Sequence, residues 1–462
     1  MTDFGVYQSP FSWRYGSPQM RAIWSEEHKR RLWRELWVTM AEAQVEFDLV
    51  TPVQVRELKA HMRDVDVPAA LEVEARIRHD LMAELKVFAG QCPQAGGILH
   101  LGATSMDIKD NAEVLRMRQA LDILIPKLKE LLGKLAEKMD ACADTPVMAF
   151  THLQPAEPTT LGYRLASYAQ DFLADFEALK SLRETIKGKG FKGAVGNAAS
   201  YVMLYGQDGF RRFESLISQA LDLPFFEVAT QTYTRKQDYS LLSALAGLAG
   251  SAYKFAFDLR LLQSEVIGEL GEPFGGQQVG SSAMPFKRNP IMAEKVDSLA
   301  RALSAAPLTA WNNYANSLLE RTLDDSANRR TLIPEAFLAL DEILQTLLEI
   351  VDGLRVDETR MRANLDKFGP FAAVERVLMA AVKRGADRQE LHEVLRQLSM
   401  RAWEALRQEQ ANPLIDLVAQ DARVTRWLPA EELRSLFAVD NYTGIATRRT
   451  RALAERIRKS IK

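Results

Sequence analysis

The stretch Tyr239–Leu262, YSLLSALAGLAGSAYKFAFDLRLL, decides how the rest of the chain is read. It is apolar or small on nearly every face of a helix, with Ala244, Ala246, Gly247, Ala249, Gly250 and Ala252 where a surface helix would carry charge. A helix without a polar face has to be covered on all sides. Three further long rows flank it. From Val114 the apolar positions run Met117, Leu121, Ile125, Leu128, Leu132, Leu135 and Met139, in steps of three and four as along a bundle seam, with Pro126 expected to kink the row. A second reads Leu161, Leu165, Tyr168, Phe172, Phe176 and Leu179, and the last spans Leu332 to Val351. No convincing series of alternating strands accompanies them, so the fold class is all-α, built on a central bundle of long helices. One chain's helices leave much of this apolar surface uncovered, which points to subunits that pool them in a homo-oligomer; a self-contained monomeric bundle is the alternative.

Outside the bundle the pattern changes at both ends. Ser25 is an N-cap followed by Glu26 and Glu27, opening a helix with the apolar row Leu32, Leu36, Met40, Ala43 and Phe47, which Thr51-Pro52 should end. Another helix is expected from about Ala69 to Phe88, with His79 off its apolar stripe of Val73, Ile77, Leu81 and Leu85. Beyond about residue 357 shorter helices rich in Arg and Glu follow. The domain division is therefore 1–111, 112–356 and 357–462.

Composition narrows the function classes. The chain has 462 residues, with 59 Lys plus Arg against 61 Asp plus Glu, so no global field recruits nucleic acid or an anionic membrane. Cys92 and Cys142 are too few for a disulfide framework or a thiolate metal site. Met1–Met20 lacks the apolar run of a secretory leader, and no stretch is uncharged and apolar for the ~18 residues a spanning helix needs. A cytoplasmic globular protein is expected.

Chemistry concentrates in a few segments. Residues 271–290, GEPFGGQQVGSSAMPFKRNP, place four glycines and three prolines between two helical rows, describing a loop that is mobile yet locally shaped. Asn289 as N-cap and Pro290 at the first helical position would set Lys287 and Arg288 beside a positive helix end, an anion site. The spacing of a nucleotide P-loop is absent, and the literal Gly-x-Gly-x-x-Gly at Gly188, Gly190 and Gly193 follows a helical row instead of a strand. Of six histidines, His28, His61 and His392 sit among surface charges. His79, His100 and His152 instead lie beside a carboxylate or among hydroxyl residues, without metal-ligand spacing, and suit acid–base work or substrate contact. The run Glu320–Arg330 carries three arginines, which read either as a phosphate cradle or as a segment neutralised by Asp324 and Asp325.

These residues together resemble a known family. Gly280 to Pro290, GSSAMPFKRNP, is similar to the signature loop of the fumarase/aspartase superfamily, whose members release fumarate by β-elimination. The Ala-Met-Pro and Lys-Arg-Asn-Pro parts resemble the branch acting on adenylosuccinate. Arg78-His79-Asp80, His100 to Asp107, Thr151 to Ala156, Gln231 to Lys236 and Arg321 to Arg330 agree with it in order. The resemblance implies a three-domain all-α subunit, a homotetramer with each active site shared by three chains, no cofactor and no metal. It implies two reactions of purine biosynthesis: adenylosuccinate to AMP and fumarate, and the succinylated carboxamide ribotide (SAICAR) to its carboxamide product (AICAR) and fumarate.

It also implies roles. Ser281 is the base, although a free serine is so weak a base that the residues alone would favour a histidine, and the assignment needs an alkoxide stabilised by Lys287 and backbone N–H groups once the loop closes. His152 is the acid, oriented by Glu294 and assisted by His79. Lys287, Asn289, Thr104 and Ser105 hold the carboxylate on which charge builds. Arg14, Tyr15, Arg321, Ser326 and Arg330 meet phosphate and ribose, and Gln231 the succinyl part. Arg78, Asp80, His100, Thr151, Gln154, Ser282 and Met284 complete the substrate contacts in the matching blocks. Two positions depart from the pattern: Phe286 stands where relatives often have His or Tyr, and Asn197 where Thr is expected. The rivals are a sister elimination on argininosuccinate or aspartate, which would leave the phosphate arginines without purpose, and a helical scaffold without activity.

Overall fold

The computed structural model describes residues 4–462; Met1–Asp3, the start of the stretch read above as no leader, lie outside the described residues. The chain runs α1 (Pro18–Ile23), α2 (Glu26–Val45), α3 (Pro52–His61), α4 (Val67–Ile77), α5 (Asp80–Gln91) and α6 (Ser105–Ala141), then a hairpin of β1 (Pro146–Thr151) and β2 (Gln154–Thr160). It continues through α7 (Leu161–Thr185), α8 (Ala199–Ala220), α9 (Lys236–Leu262), β3 (Leu270–Gly271), α10 (Ile291–Ser304), α11 (Ala306–Ala315), α12 (Asp324–Asp352) and β4 (Arg355–Val356). Six helices close it: α13 (Glu358–Val382), α14 (Arg388–Arg407), α15 (Leu414–Gln420), α16 (Ala422–Thr425), α17 (Ala430–Leu436) and α18 (Ala446–Ser460). Among the described residues no helix is long and apolar enough to cross a membrane.

The fold is helical as the rows require. Met117, Leu121, Leu128, Leu132, Leu135 and Met139 of α6 are buried, as is every member of the α7 row from Leu161 to Leu179. Pro126 sits inside α6, which runs through it and is 37 residues long in all. Ser25 caps α2 by accepting from His28 N–H. Four local expectations are corrected. Thr51-Pro52 does not end the first helix, which stops at Val45; it opens α3 through a capping box with Gln54. The helix expected over Ala69–Phe88 is two helices, broken where Arg78 takes a left-handed φ of 55°. Strands exist, because β1 and β2 pair antiparallel with an irregularity between Met148 and Phe150. Beyond residue 357 the helices are not uniformly short: α13 equals α7 at 25 residues.

The chain forms two compact units. The first runs to Leu128 and takes in Asp175–Ala252 and Ser298–Gln345; the second comprises Lys129–Ala174, Tyr253–Asp297 and Thr346–Lys462. The core of the first joins Leu32, Trp33, Leu36, Trp37 and Met40 of α2 to Leu81 and Phe88 of α5 and to the aromatic group Phe191, Tyr201 and Phe213. That of the second packs Met148 of β1 with Leu365, Ala373 and Val377 of α13 and Leu391, Leu395, Leu414, Val418 and Leu433 from the following helices.

Candidate active site

In the first unit, the break between α4 and α5 makes His79 a cap. Met82 N–H donates to His79 Nδ1 at 3.3 Å, so the ring proton lies on Nε2, which faces Ser105 Oγ at 3.3 Å. Asp80 begins α5 and is 9% exposed; it accepts from Lys109 Nζ at 2.9 and 3.0 Å, Arg330 at 3.0 Å and Leu81 N–H at 2.7 Å. Burial alone would raise its carboxyl, but Lys109, the Leu81 N–H and Arg330 outweigh burial and hold it at about 2. Behind them Glu84, fully buried, accepts from Arg30 at 3.1 Å and Arg34 at 2.6 Å and so ties α5 to α2.

His100 through Asp107 form the entry to α6. Thr104 N–H donates to Asp107 Oδ2 at 3.0 Å, closing the first turn. Asp107 has no exposed surface and also accepts from Lys189 Nζ at 2.5 Å, Tyr201 Oη at 3.1 Å and the backbone N–H groups of Lys192 and Gly193 at 3.1 and 3.2 Å. The literal Gly-x-Gly-x-x-Gly segment therefore wraps the protein's own carboxylate. Burial holds the His100 imidazolium down, as does His79, against the opposing pull of Asp107.

All three arginines of the run are paired with carboxylates. Arg321 pairs with Asp325 at 2.9 Å, and Asp325 is shared with buried Arg235 at 2.7 Å. Arg329 donates to Asp238 and Tyr233 Oη, both at 2.8 Å. Only the Arg321–Asp325 pair is internal to the segment; Arg329 and Arg330 are neutralised by Asp238 and Asp80 outside it, and Arg330 keeps 54% of its side chain exposed. Gln231 N–H donates to Glu320 C=O at 3.2 Å, which sets Gln231 next to Arg321, while Ser326 lies in the first turn of α12. Arg14 is exposed, its guanidinium 5.8 Å from the Trp13 and Tyr15 rings, and Arg78 is exposed at the break.

In the second unit, His152 is the tip of the hairpin. Thr151 pairs with Gln154, leaving His152 and Leu153 as a two-residue loop with φ of 52° and 59°. Paired positive φ values suit the twist of a tight hairpin but are strained in residues with a Cβ. All four residues from Thr151 to Gln154 are exposed.

The signature loop is folded on itself. Ser281 Oγ accepts from Met284 N–H at 3.1 Å and Ala283 N–H at 3.3 Å. Asn289 Nδ2 donates to Gly280 C=O at 2.9 Å, closing a neck in which a Cβ on Gly280 would overlap the Lys287 carbonyl oxygen. Ser282, Met284 and Phe286 are exposed, and Lys287 and Arg288 line an open cleft of about 1170 Å³ with Arg260, Arg355 and Arg360. Lys287 has no ion-pair partner among the described residues. Glu294, half exposed, lies 3.7 Å from Arg260.

The helix start beyond the loop corrects another expectation. The helix α10 begins at Ile291, with Pro290 C=O accepting its first bond, so Pro290 and not Asn289 caps it. Its free N–H groups are taken by the protein's own carboxylate: Glu272, 1% exposed, accepts from Met292 at 3.1 Å and Ala293 at 3.0 Å. Burial raises the Glu272 carboxyl, against the pull of those N–H groups. Gln263 Oε1 takes the Glu272 N–H at 2.8 Å and Arg355 Nε donates to its C=O at 2.8 Å, so one residue pins both ends of the loop. Glu272 and Asp107 are supporting residues that sequence reasoning left out. The Asp three places after Thr104 was a readable signal for the second; Glu272 had none, since its partners are 20 residues away. Among the described residues no group of three His, Cys, Asp or Glu side chains is placed to hold a metal.

Comparison with known proteins identifies the family. Residues 16–303 match the Lyase family and residues 370–453 the family Adenylosuccinate lyase C-terminus. Adenylosuccinate lyase of Saccharomyces cerevisiae is 39% identical over 96% of this chain and 93% of its own length, and that of Schistosoma mansoni 42% identical over 87% and 85%. The crystal structure of 3-carboxy-cis,cis-muconate lactonizing enzyme from Pseudomonas putida superimposes with a TM-score of 0.88 at 26% identity, over 99% of this chain and all of that one. With a lyase match over more than half its length and these relatives matching over most of it, the chain belongs to the adenylosuccinate lyase family of the fumarase/aspartase superfamily.

Proposed function

We propose that this chain cleaves adenylosuccinate to AMP and fumarate, and SAICAR to AICAR and fumarate, with Ser281 as base and His152 as acid. The observation that carries the reading is the serine's setting. Two backbone N–H groups already point at Ser281 Oγ, so charge left there by proton loss meets donors that need no rearrangement. The alkoxide removes the proton from the carbon α to a carboxylate and β to the amine. That electron pair becomes the new C=C bond as the C–N bond breaks, and His152 delivers a proton to the departing nitrogen. Lys287 and Asn289, with Thr104 and Ser105, hold the carboxylate on which charge accumulates. Arg14, Tyr15, Arg321, Ser326 and Arg330 receive phosphate and ribose, and Gln231 the succinyl part. Glu294 orients His152, and His79 assists as an Nε2–H donor.

His152 stands on an exposed tip, and Ser281 belongs to a loop whose Lys287 and Arg288 line an open cleft. This supports a homotetramer in which three chains complete each active site; we further propose that each subunit is divided into 1–111, 112–356 and 357–462 and works in the cytoplasm. The test is fumarate release by purified protein from adenylosuccinate, from SAICAR and from argininosuccinate. Release from the first two supports the reading; release from argininosuccinate alone defeats it. Light scattering that finds an active monomer would defeat the shared site.

A further inference from the structure

The indole of Trp37 has one polar atom and, at 1% exposure, no water to satisfy it. An indole N–H can only donate, and its hydrogen bond runs 3.1 Å to His100 Nδ1. Nδ1 must therefore present its lone pair, and in the neutral imidazole the proton sits on Nε2. The rings meet edge to face at 85° with centroids 6.0 Å apart, which sets the imidazole plane as well. The backbone of His100 has a φ of 67°, a conformation that a residue with a Cβ keeps only where its surroundings hold it. Nε2 has no partner among the described residues, so an oriented donor is left open. Asp107 and His79 are the titratable groups that act on the ring, with opposite sign.

We propose that Trp37 is a positioning residue: it fixes His100 as a neutral imidazole whose Nε2–H is a standing donor to an anionic oxygen of the substrate, leaving His152 as the imidazole that exchanges protons. The proposal rests on His100 touching substrate, as proposed above. A ring that donates without titrating tightens substrate binding and adds nothing to the pH profile.

The experiment is ¹⁵N spectroscopy of the full-length protein labelled at histidine, across the neutral range, with His100→Gln to assign the signal. Wild type should show a His100 ring with bare Nδ1 and protonated Nε2 that does not titrate. Trp37→Phe, which keeps an aromatic ring and removes the N–H, should let that ring titrate and raise KM about tenfold above its midpoint, with kcat within about twofold. In the His100→Gln background the same change should leave KM alone, because the glutamine amide donates without Trp37. A proton on Nδ1 in wild type, or an equal KM rise in the His100→Gln background, would overturn the proposal. If Trp37→Phe does not fold, the wild-type spectra decide it. A locked ring together with a kinetically silent His100→Gln would remove the donor role and locate the error in the substrate contact, not in the lock.

Discussion

Around His79 and Asp80 the charges are paired before any ligand arrives, whereas around Ser281 and Lys287 the serine hydroxyl has only backbone partners and the lysine ammonium none among the described residues. Asp80 holds Lys109 and Arg330, Glu84 holds Arg30 and Arg34, and Asp107 holds Lys189, each carboxylate at least nine-tenths buried. The loop instead hangs from Glu272 and the Gly280 neck, with Lys287 and Phe286 in the open. Buried pairs are rigid because breaking one strands a charge; exposed cations stay available because nothing competes for them. The first region is paired within the chain, whereas the second leaves its serine and lysine side chains open to the neighbouring subunits and substrate proposed above.

That contrast can be broken at several points. The largest effect is expected from Ser281→Ala: about 10³-fold loss of turnover with adenylosuccinate binding retained, measured by stopped assay and calorimetry, since removing a positioned base costs of that order. Loss of binding in a folded variant would make the serine structural instead. Glu84→Gln strikes the opposite region and should cost about 3–5 kcal/mol of stability in denaturant titration, because two buried guanidiniums lose their carboxylate. A change under 1 kcal/mol would mean that the pairs are not what fixes α5.

Gly280→Ala sharpens the comparison, since the neck admits no Cβ. We expect kcat to fall by about 10- to 100-fold while the melting temperature stays put, since no residue of the loop belongs to either core cluster. Acid titration separates the regions again. The Asp80 carboxyl is depressed to about 2, so its stabilising contribution is complete above the unfolded value near 3.8 and is lost as pH falls through the folded one. Asp80→Asn should flatten the stability profile in that window by about 2 kcal/mol. The smallest effect is ionic: raising salt from about 0.05 to 0.5 M should weaken KM a few-fold through the exposed loop cations and leave unfolding stability within about 1 kcal/mol.

How much of this was legible in the sequence follows the same line. The α6 and α7 rows could be read because each buried position is three or four residues from the next, and local spacing is what a sequence displays. The hairpin could not, because Pro146, Pro155 and Pro158 interrupt any alternation and its register slips near Met148. The break at Arg78 was hidden by the lack of Gly or Pro, whereas Thr51-x-x-Gln54 was a capping box that could have been read. For the candidate site, the blocks carrying Ser281, His152 and Asp80 stood out by composition. Glu272 did not, since a carboxylate that caps a helix from a distance leaves no local trace.

The hairpin tip carries a consequence for anyone wishing to make this protein withstand heat. Two side chains held at positive φ tax the native state by roughly 1–2 kcal/mol apiece. Glycine at position 153 would recover part of that sum, while the same remedy one residue earlier would delete the proposed acid. Thermal hardening and turnover therefore part company between two adjacent positions.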